Sequence, residues 1–204
     1  MMRRETFLSM GTEVTVVADA PAPRLRRAVA CVRGTFAREE RRFSRLLAGL
    51  RPSPGVALAL GGIAKGWTVD PAAERALAAG LPWVLVDAGG DLRAAGEAPA
   101  LPIAVEDPGR PGHELLRLVL ERGALATSSV SRRAWGEGLH HVIDPRTGLP
   151  SAAPTVQATA RAPTCAEAEI RATWALLEGP AATARFPAAI VAGGSVTLSM
   201  EPAA

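Results

Sequence analysis

Residues 101–127, LPIAVEDPGRPGHELLRLVLERGALAT, decide the fold class. Three short strand-like runs follow one another there, near 101–105, 115–121 and 124–127, with Asp107-Pro108-Gly109 as a turn between the first two. No helix separates them, which argues against an alternating βα chain. Upstream, residues 82–87 (PWVLVD) predict a strand running into Ala88-Gly89-Gly90-Asp91, and residues 63–79 predict a helix that stops at Gly80. Residues 48–62 read as loop. Before them, Leu25, Ala28, Val29, Val32 and Phe36 recur at helical spacing, so 24–43 form a long amphipathic helix. Residues 13–18 alternate as a strand, with Met10-Gly11-Thr12 leading into it. Downstream, His140 to Ile143 predict a short strand, 144–148 a turn, and 154–161 another strand. Thr164-Cys165-Ala166-Glu167 is a capping box that opens a helix running to Glu178. A hairpin over 188–192 and 195–200 turns at Gly193-Gly194. The expectation is an α+β fold in a single domain over 1–204, with mixed or antiparallel sheets and a few packed helices.

The chain of 204 residues is 48% apolar, enough to bury roughly 70% of its unfolded surface. No apolar run reaches the ~18 residues of a transmembrane helix. The N-terminal stretch MMRRETFLSMGTEV has two arginines but no apolar core, so no secretory signal is visible and a cytoplasmic location is expected. The net charge is +3, but arginines and acids alternate, as in Arg38-Glu39-Glu40-Arg41-Arg42, which describes a solvated helix face and not a nucleic-acid stripe. Cys31 and Cys165 are far apart and lack metal-ligand spacing. Of the 23 basic residues 22 are arginine, and the one lysine is Lys65. A lone lysine either marks a position where arginine does not serve or is a random survivor of a drift toward arginine.

Lys65 lies in Gly61-Gly62-Ile63-Ala64-Lys65-Gly66 at a helix start, where a backbone without side chains and free amides suit a phosphate. The blander reading is a tight turn with a surface lysine. Glu169 and Thr173 stand at i and i+4 on the capped helix and share a face, so a carboxylate and a hydroxyl are placed to share a hard cation such as Mg²⁺. The alternative is an exposed Glu and a Thr bonded back to its helix. His140-His141-Val142-Ile143-Asp144-Pro145-Arg146-Thr147-Gly148 sets two histidines beside an aspartate turn. Strand neighbours face opposite ways, so only one of them serves as acid or base at a given site. Ser128-Ser129 after a strand either binds phosphate or flavin, or is simply loop.

Taken in order along the chain, these strings carry a resemblance. Met-Gly-Thr at 10–12 is followed by G-G-I-A-K-G-x-x-x-D from 61, then D-A-G-G-D-L from 87 and V-E-D-P from 105. A-T-S-S from 126, H-x-I-D-P-R-T-G from 141 and Glu-x-x-x-Thr from 169 complete the series. The chain resembles the ApbE family, the FAD:protein FMN transferases or flavin transferases, from Met10 to about Gly194. The resemblance implies an α+β fold with FAD bound in a cleft as substrate and Mg²⁺ on its pyrophosphate. It implies transfer of FMN to a Thr or Ser hydroxyl of an acceptor flavoprotein, with release of AMP. Carried onto this sequence, it gives Gly62, Glu169 and Thr173 to the metal. Met10, Lys65, Glu106, Ser128, Val142 and Ile143 go to the flavin nucleotide. His141 becomes the proton acceptor, with Asp144 beside it in the catalytic turn, and Asp91 lies in the cleft. By the same resemblance, an extracytoplasmic location is the alternative to a cytoplasmic one.

The chain departs from the family pattern in four places. Ala59 stands where the family has Asp, and Glu169 where it has a metal-binding Asp. Leu46 occupies the slot of a flavin-stacking aromatic, with Phe43 as a nearby substitute. The segment between about 47 and 60 is short. A non-catalytic flavin-binding remnant and an interaction scaffold are therefore the alternatives to an active transferase.

Overall fold

The computed structural model describes residues 1–49, 60–135 and 138–202. In chain order the elements are β1 (Met2–Ser9), β2 (Thr12–Asp19), α1 (Ala22–Gly49), α2 (Ala64–Ala78), β3 (Trp83–Ala88), β4 (Asp91–Gly96), β5 (Leu101–Glu106), β6 (Glu114–Leu120) and β7 (Gly123–Ser129). There follow β8 (Ile143–Asp144), β9 (Leu149–Pro150), β10 (Thr155–Ala162), α3 (Cys165–Glu178), a 3-10 turn over Gly179–Ala184, β11 (Ala188–Ala192) and β12 (Ser195–Leu198). Eight strands form one antiparallel sheet in the order β1-β2-β3-β4-β7-β10-β11-β12. Strands β5 and β6 form a separate hairpin, and β8 and β9 a small one. This is an α+β architecture, as the consecutive strands of 101–127 predict. Among the described residues no helix is long and apolar enough to cross a membrane.

The period of two along each strand sorts side chains onto two cores. Val84, Val86 and Ala88 of β3, Ala124 and Ala126 of β7, and Ala158 and Ala160 of β10 meet the helices, whose Leu25, Val32, Phe36, Val69, Ala72 and Leu176 are buried against them. The intervening residues Trp83, Leu85, Leu92 and Leu125 face the other way. They pack with Leu101, Val105, Leu118 and Leu120 of the β5–β6 hairpin. The alanines on the helix side let α2 and α3 lie close to the sheet, and close packing here brings polar groups of helix and strand into contact.

Three strands escape the sequence reading, the two-residue β9 among them. β1 is an edge strand with only Phe7 buried, so its charged, mostly exposed sequence shows no apolar alternation. β4, DLRAAG, lacks β-branched residues. It is instead set by the Gly89-Gly90 turn, where both φ angles are positive, as a tight hairpin requires. The first hairpin turns at Met10-Gly11, also with both φ positive, and Met10 is the one non-glycine residue in that conformation among the described residues. Helix α1 continues to Gly49, so residues 48–49 are helix and not loop. Phe43 and Leu46 lie on its last turns. Ala59, and most of the short segment after residue 47, fall outside the described residues. The strand expected from His140 to Ile143 reduces to the Ile143–Asp144 pair and a single bridge from His140 to Ala134.

Candidate functional site

A cleft of about 970 Å³ opens at the β3–β4 turn, between α2 and α3 on one side and the β5–β6 hairpin on the other. Its volume lies at the upper end of ordinary ligand clefts (~300–1,000 Å³). Lys65 and Gly62, Glu106, Ser128, His141, Val142, Ile143, Glu169 and Thr173 all line it. Met10 and Asp144 do not. Met10 packs against the helix-side core, while its neighbours Gly11, Thr12 and Glu13 reach the cleft wall.

Lys65 is the second residue of α2, and its Nζ donates to Asp91 Oδ2 and lies 3.7 Å from Glu169 Oε1. Asp91 and Glu169 are only 1% and 3% exposed, so both carboxylates sit out of water around one ammonium. Gly66 makes this possible. A Cβ there would stand 2.5 Å from the Cys165 carbonyl oxygen, so only glycine lets α2 touch the backbone at the start of α3. The Gly66 amide then donates to Glu169 Oε2 at 2.8 Å.

Burial raises the pKa of Glu169 to about 8, and the neighbouring Asp91 adds to that push; Lys65 and the Gly66 amide oppose it. Burial also raises Asp91. Burial acts against the charge of Lys65, but Asp91 and Glu169 outweigh it and hold the ammonium protonated. Burial pushes the Cys165 thiol well up, with the nearby carboxylates adding to the shift, which disfavours its thiolate.

On the same side of the cleft, Thr173 Oγ1 pairs with Ser128 Oγ at 3.1 Å. A Cβ on Gly62 would come within 3.3 Å of that threonine oxygen. Glycine thus brings bare backbone against the hydroxyl pair. Among the described residues no group of three or more His, Cys, Asp and Glu side chains forms a metal cage. The donor set is nevertheless of the right kind for Mg²⁺: hard oxygens only, from Glu169, Thr173 and the Gly62 backbone. With its pKa near 8, Glu169 mostly holds a proton at neutral pH, and a cation bound beside it would take that proton's place.

The far wall holds the histidines, and they differ in kind. His140 is buried. Its Nδ1 accepts from the Val142 amide at 3.3 Å and its Nε2 lies 3.1 Å from the Ser151 carbonyl oxygen, so both ring nitrogens are engaged and the side chain holds the loop. His141 faces the cleft, anchored by its amide to the Arg133 carbonyl at 3.2 Å. Partial burial lowers its pKa, and the positive charges nearby, Arg133 first among them, lower it further against the raising effect of the Arg133 backbone on the ring. The imidazole is thus neutral at neutral pH and able to accept a proton. Asp144 turns to Arg146, which donates from its amide at 2.9 Å and from Nη2 at 2.7 Å; those bonds hold the carboxyl below the usual range and close the turn.

Several cleft residues were not singled out in the sequence. Asp87 accepts from the Gly90 amide at 2.9 Å and shapes the turn. Thr127 and Thr159 pair across β7 and β10 at 2.9 Å. Gln157 donates to the Glu106 carbonyl at 2.8 Å and, with Arg132 on the Glu106 carboxylate, fastens the hairpin to the sheet. The only available signal for Gln157 was that the chain has no other glutamine.

Comparison with solved structures gives the same fold. The ApbE protein of Thermotoga maritima superposes with a TM-score of 0.81 at 20% identity, over 98% of this chain and 97% of that one. The flavin transferase ApbE of Vibrio cholerae gives 0.65 at 18% identity over 98% of both chains. The apo form of the flavinyl transferase ApbE of Pseudomonas stutzeri gives 0.70 at 18% identity over 97% and 93%. A search of curated proteins finds no match. The model of the ApbE family matches residues 21–190, most of the chain and all of the cleft apart from Gly11, Thr12 and Glu13, and the protein belongs to that family.

Proposed function

We propose that the protein is a flavin transferase that moves FMN from FAD to a Thr or Ser hydroxyl of an acceptor flavoprotein and releases AMP. One observation carries this reading: Lys65 is held between two buried carboxylates, beside a glycine–threonine–serine wall, in a cleft whose opposite side presents a neutral histidine. Membership of the family and the flavin transferase names of the similar structures support it.

Phosphoryl transfer needs positioning and charge neutralisation more than covalent help from the protein. Lys65 offers a fixed ammonium to the nucleotide. Gly62, Glu169 and Thr173 would hold Mg²⁺. When bound, the ion supplies charge neutralisation on the pyrophosphate. His141 accepts the proton of the incoming hydroxyl. The oxygen of that hydroxyl forms a bond to the FMN-side phosphorus, the pyrophosphate P–O bond breaks, and AMP leaves with the bridging oxygen. Val142 and Ile143 lay an apolar edge beside the flavin, and Ser128 and Glu106 line its walls. Asp144 shapes the turn that presents them.

The test is incubation with FAD, Mg²⁺ and a flavin-acceptor domain. The expected result is in-gel flavin fluorescence on the acceptor and AMP in solution, both abolished by a chelator. FAD binding without AMP would identify a non-catalytic binding protein instead, and no binding at all a scaffold.

A further inference from the structure

Behind the cleft, out of contact with it, lies a second charged junction. Asp70 is one turn beyond Gly66 on α2, and its carboxylate accepts two amides at the start of α3: Cys165 N to Oδ1 at 2.8 Å and Ala166 N to Oδ2 at 3.1 Å. Arg93 of β4 places Nε 3.7 Å from the same Oδ1. Among the described residues its Nη1 is buried with no hydrogen-bond partner, so Asp70 is the charge that holds this guanidinium. Helix α3 already has its own N-cap, Thr164, whose Oγ1 accepts from Glu167 N at 3.3 Å. Asp70 is therefore more than a cap, because it joins three elements. Each of the three carries one member of the cleft cluster a few residues away, on the same face in β4 and α3 and about a turn and a half earlier in α2. Lys65 precedes Asp70 by five residues on α2, Asp91 is two residues from Arg93 on β4, and Glu169 is one turn after Cys165 on α3.

We infer that Asp70 is a positioning residue for the metal side of the reaction: its two hydrogen bonds from the α3 amides, braced by Arg93, set the register in which Glu169 and Thr173 meet Lys65 and Gly62. The inference rests on the transferase reading above. A carboxylate is required because both amides donate. An asparagine has one acceptor oxygen, and its NH₂ would face the other amide donor. The negative charge also suits the helix N-terminus.

The experiment compares Asp70→Asn with Thr164→Ala, which removes the other α3 cap and leaves the junction intact. Three quantities are read on each: the melting temperature, the thermal shift on titrating Mg²⁺ alone, and the Mg²⁺ concentration for half-maximal AMP release from FAD. Asp70→Asn is expected to raise the Mg²⁺ requirement in both titrations about tenfold or more, the size typical when the support of a metal ligand is lost. Thr164→Ala is expected to lower the melting temperature with the Mg²⁺ requirement of the wild type. A melting-temperature drop in Asp70→Asn with an unchanged Mg²⁺ requirement would overturn the inference and leave Asp70 a cap. An equal rise in both variants would overturn it too, since general loosening then suffices. If Asp70→Asn does not fold, Arg93→Met carries the same prediction at smaller size, and an unchanged requirement there overturns the inference. A wild-type protein with no Mg²⁺ response defeats the transferase reading itself and this one with it, a result distinct from a responsive wild type with an indifferent variant.

Discussion

The Lys65 cluster and the Asp144 turn use the same ingredients, carboxylates and a cation, to opposite effect. At the turn, the largely exposed Arg146 gives several bonds to one carboxylate and keeps it ionised. In the cluster, one ammonium serves two carboxylates that are both buried, and Glu169 is driven up to about 8. The depth of burial and the ratio of charges, not the presence of a partner, separate a fastened turn from a site with a carboxyl left over. A site of the second kind has reason to attract a cation or a phosphate, whereas the first is already satisfied.

Substitutions can break that comparison, and the largest effect is expected at Lys65. Lys65→Met leaves two buried acids without a cation. It should cost on the order of 3–5 kcal/mol in denaturant unfolding and eliminate AMP formation. Lys65→Arg should not restore activity, because a planar fork replaces a compact charge between two fixed acids. Next comes Glu169→Gln, which keeps the shape and the option of a bond to Gly66 but removes the charge proposed to hold Mg²⁺. AMP release at fixed Mg²⁺ should fall by about a hundredfold or more, with the far-UV circular dichroism unchanged.

His141→Ala is expected to cost about a hundredfold in transfer rate, the scale of a lost general base. The pH profile sharpens this. At saturating Mg²⁺, which keeps Glu169 ionised, the base works when neutral and its folded pKa lies below 6.5, so the wild-type rate should persist below pH 6.5 and decline only as the ring gains its proton. The His141→Ala profile should lack that acid limb. A wild-type limb centred above 6.5 would assign the proton to another group.

Gly62→Ala should act more weakly. Its Cβ would stand 3.3 Å from Thr173 Oγ1, a crowding that a shift of a few tenths of an ångström relieves. The variant should fold normally and need a few-fold more Mg²⁺ for half-maximal AMP release. The smallest effect belongs to Asp144→Asn. One oxygen can still accept from the Arg146 amide, so the turn and the rate should both survive, and a rate loss matching His141→Ala would place Asp144 in the catalytic step after all.

Much of this arrangement was legible in the sequence where local chemistry dictated it. The capping box at Thr164, the glycines around Lys65 and the pairing of Glu169 with Thr173 are short-range patterns, and the helices that carry them form where the periodicity predicts. What the sequence hid was long-range. Strand β4 has no strand-like residues and exists because Gly89-Gly90 turns it back onto β3. Edge strand β1 buries one side chain. Asp91 looked like part of a glycine turn, but its role depends on Lys65, 26 residues away, and that of Asp70 on an amide 95 residues away. The two adjacent histidines differ because one is roofed by Ser151 and the other opens on the cleft, a distinction no spacing reveals.

The central claim is that the buried Lys65–Asp91–Glu169 cleft drives FMN transfer. The most direct measurement follows an acceptor flavoprotein domain by intact mass spectrometry, together with AMP, after incubation with this protein, FAD and Mg²⁺. The account predicts an acceptor heavier by one FMN less one water, one AMP per modified acceptor, and loss of both with Glu169→Gln. An unmodified acceptor with FAD intact, or a modification that proceeds equally well in Glu169→Gln, would contradict it.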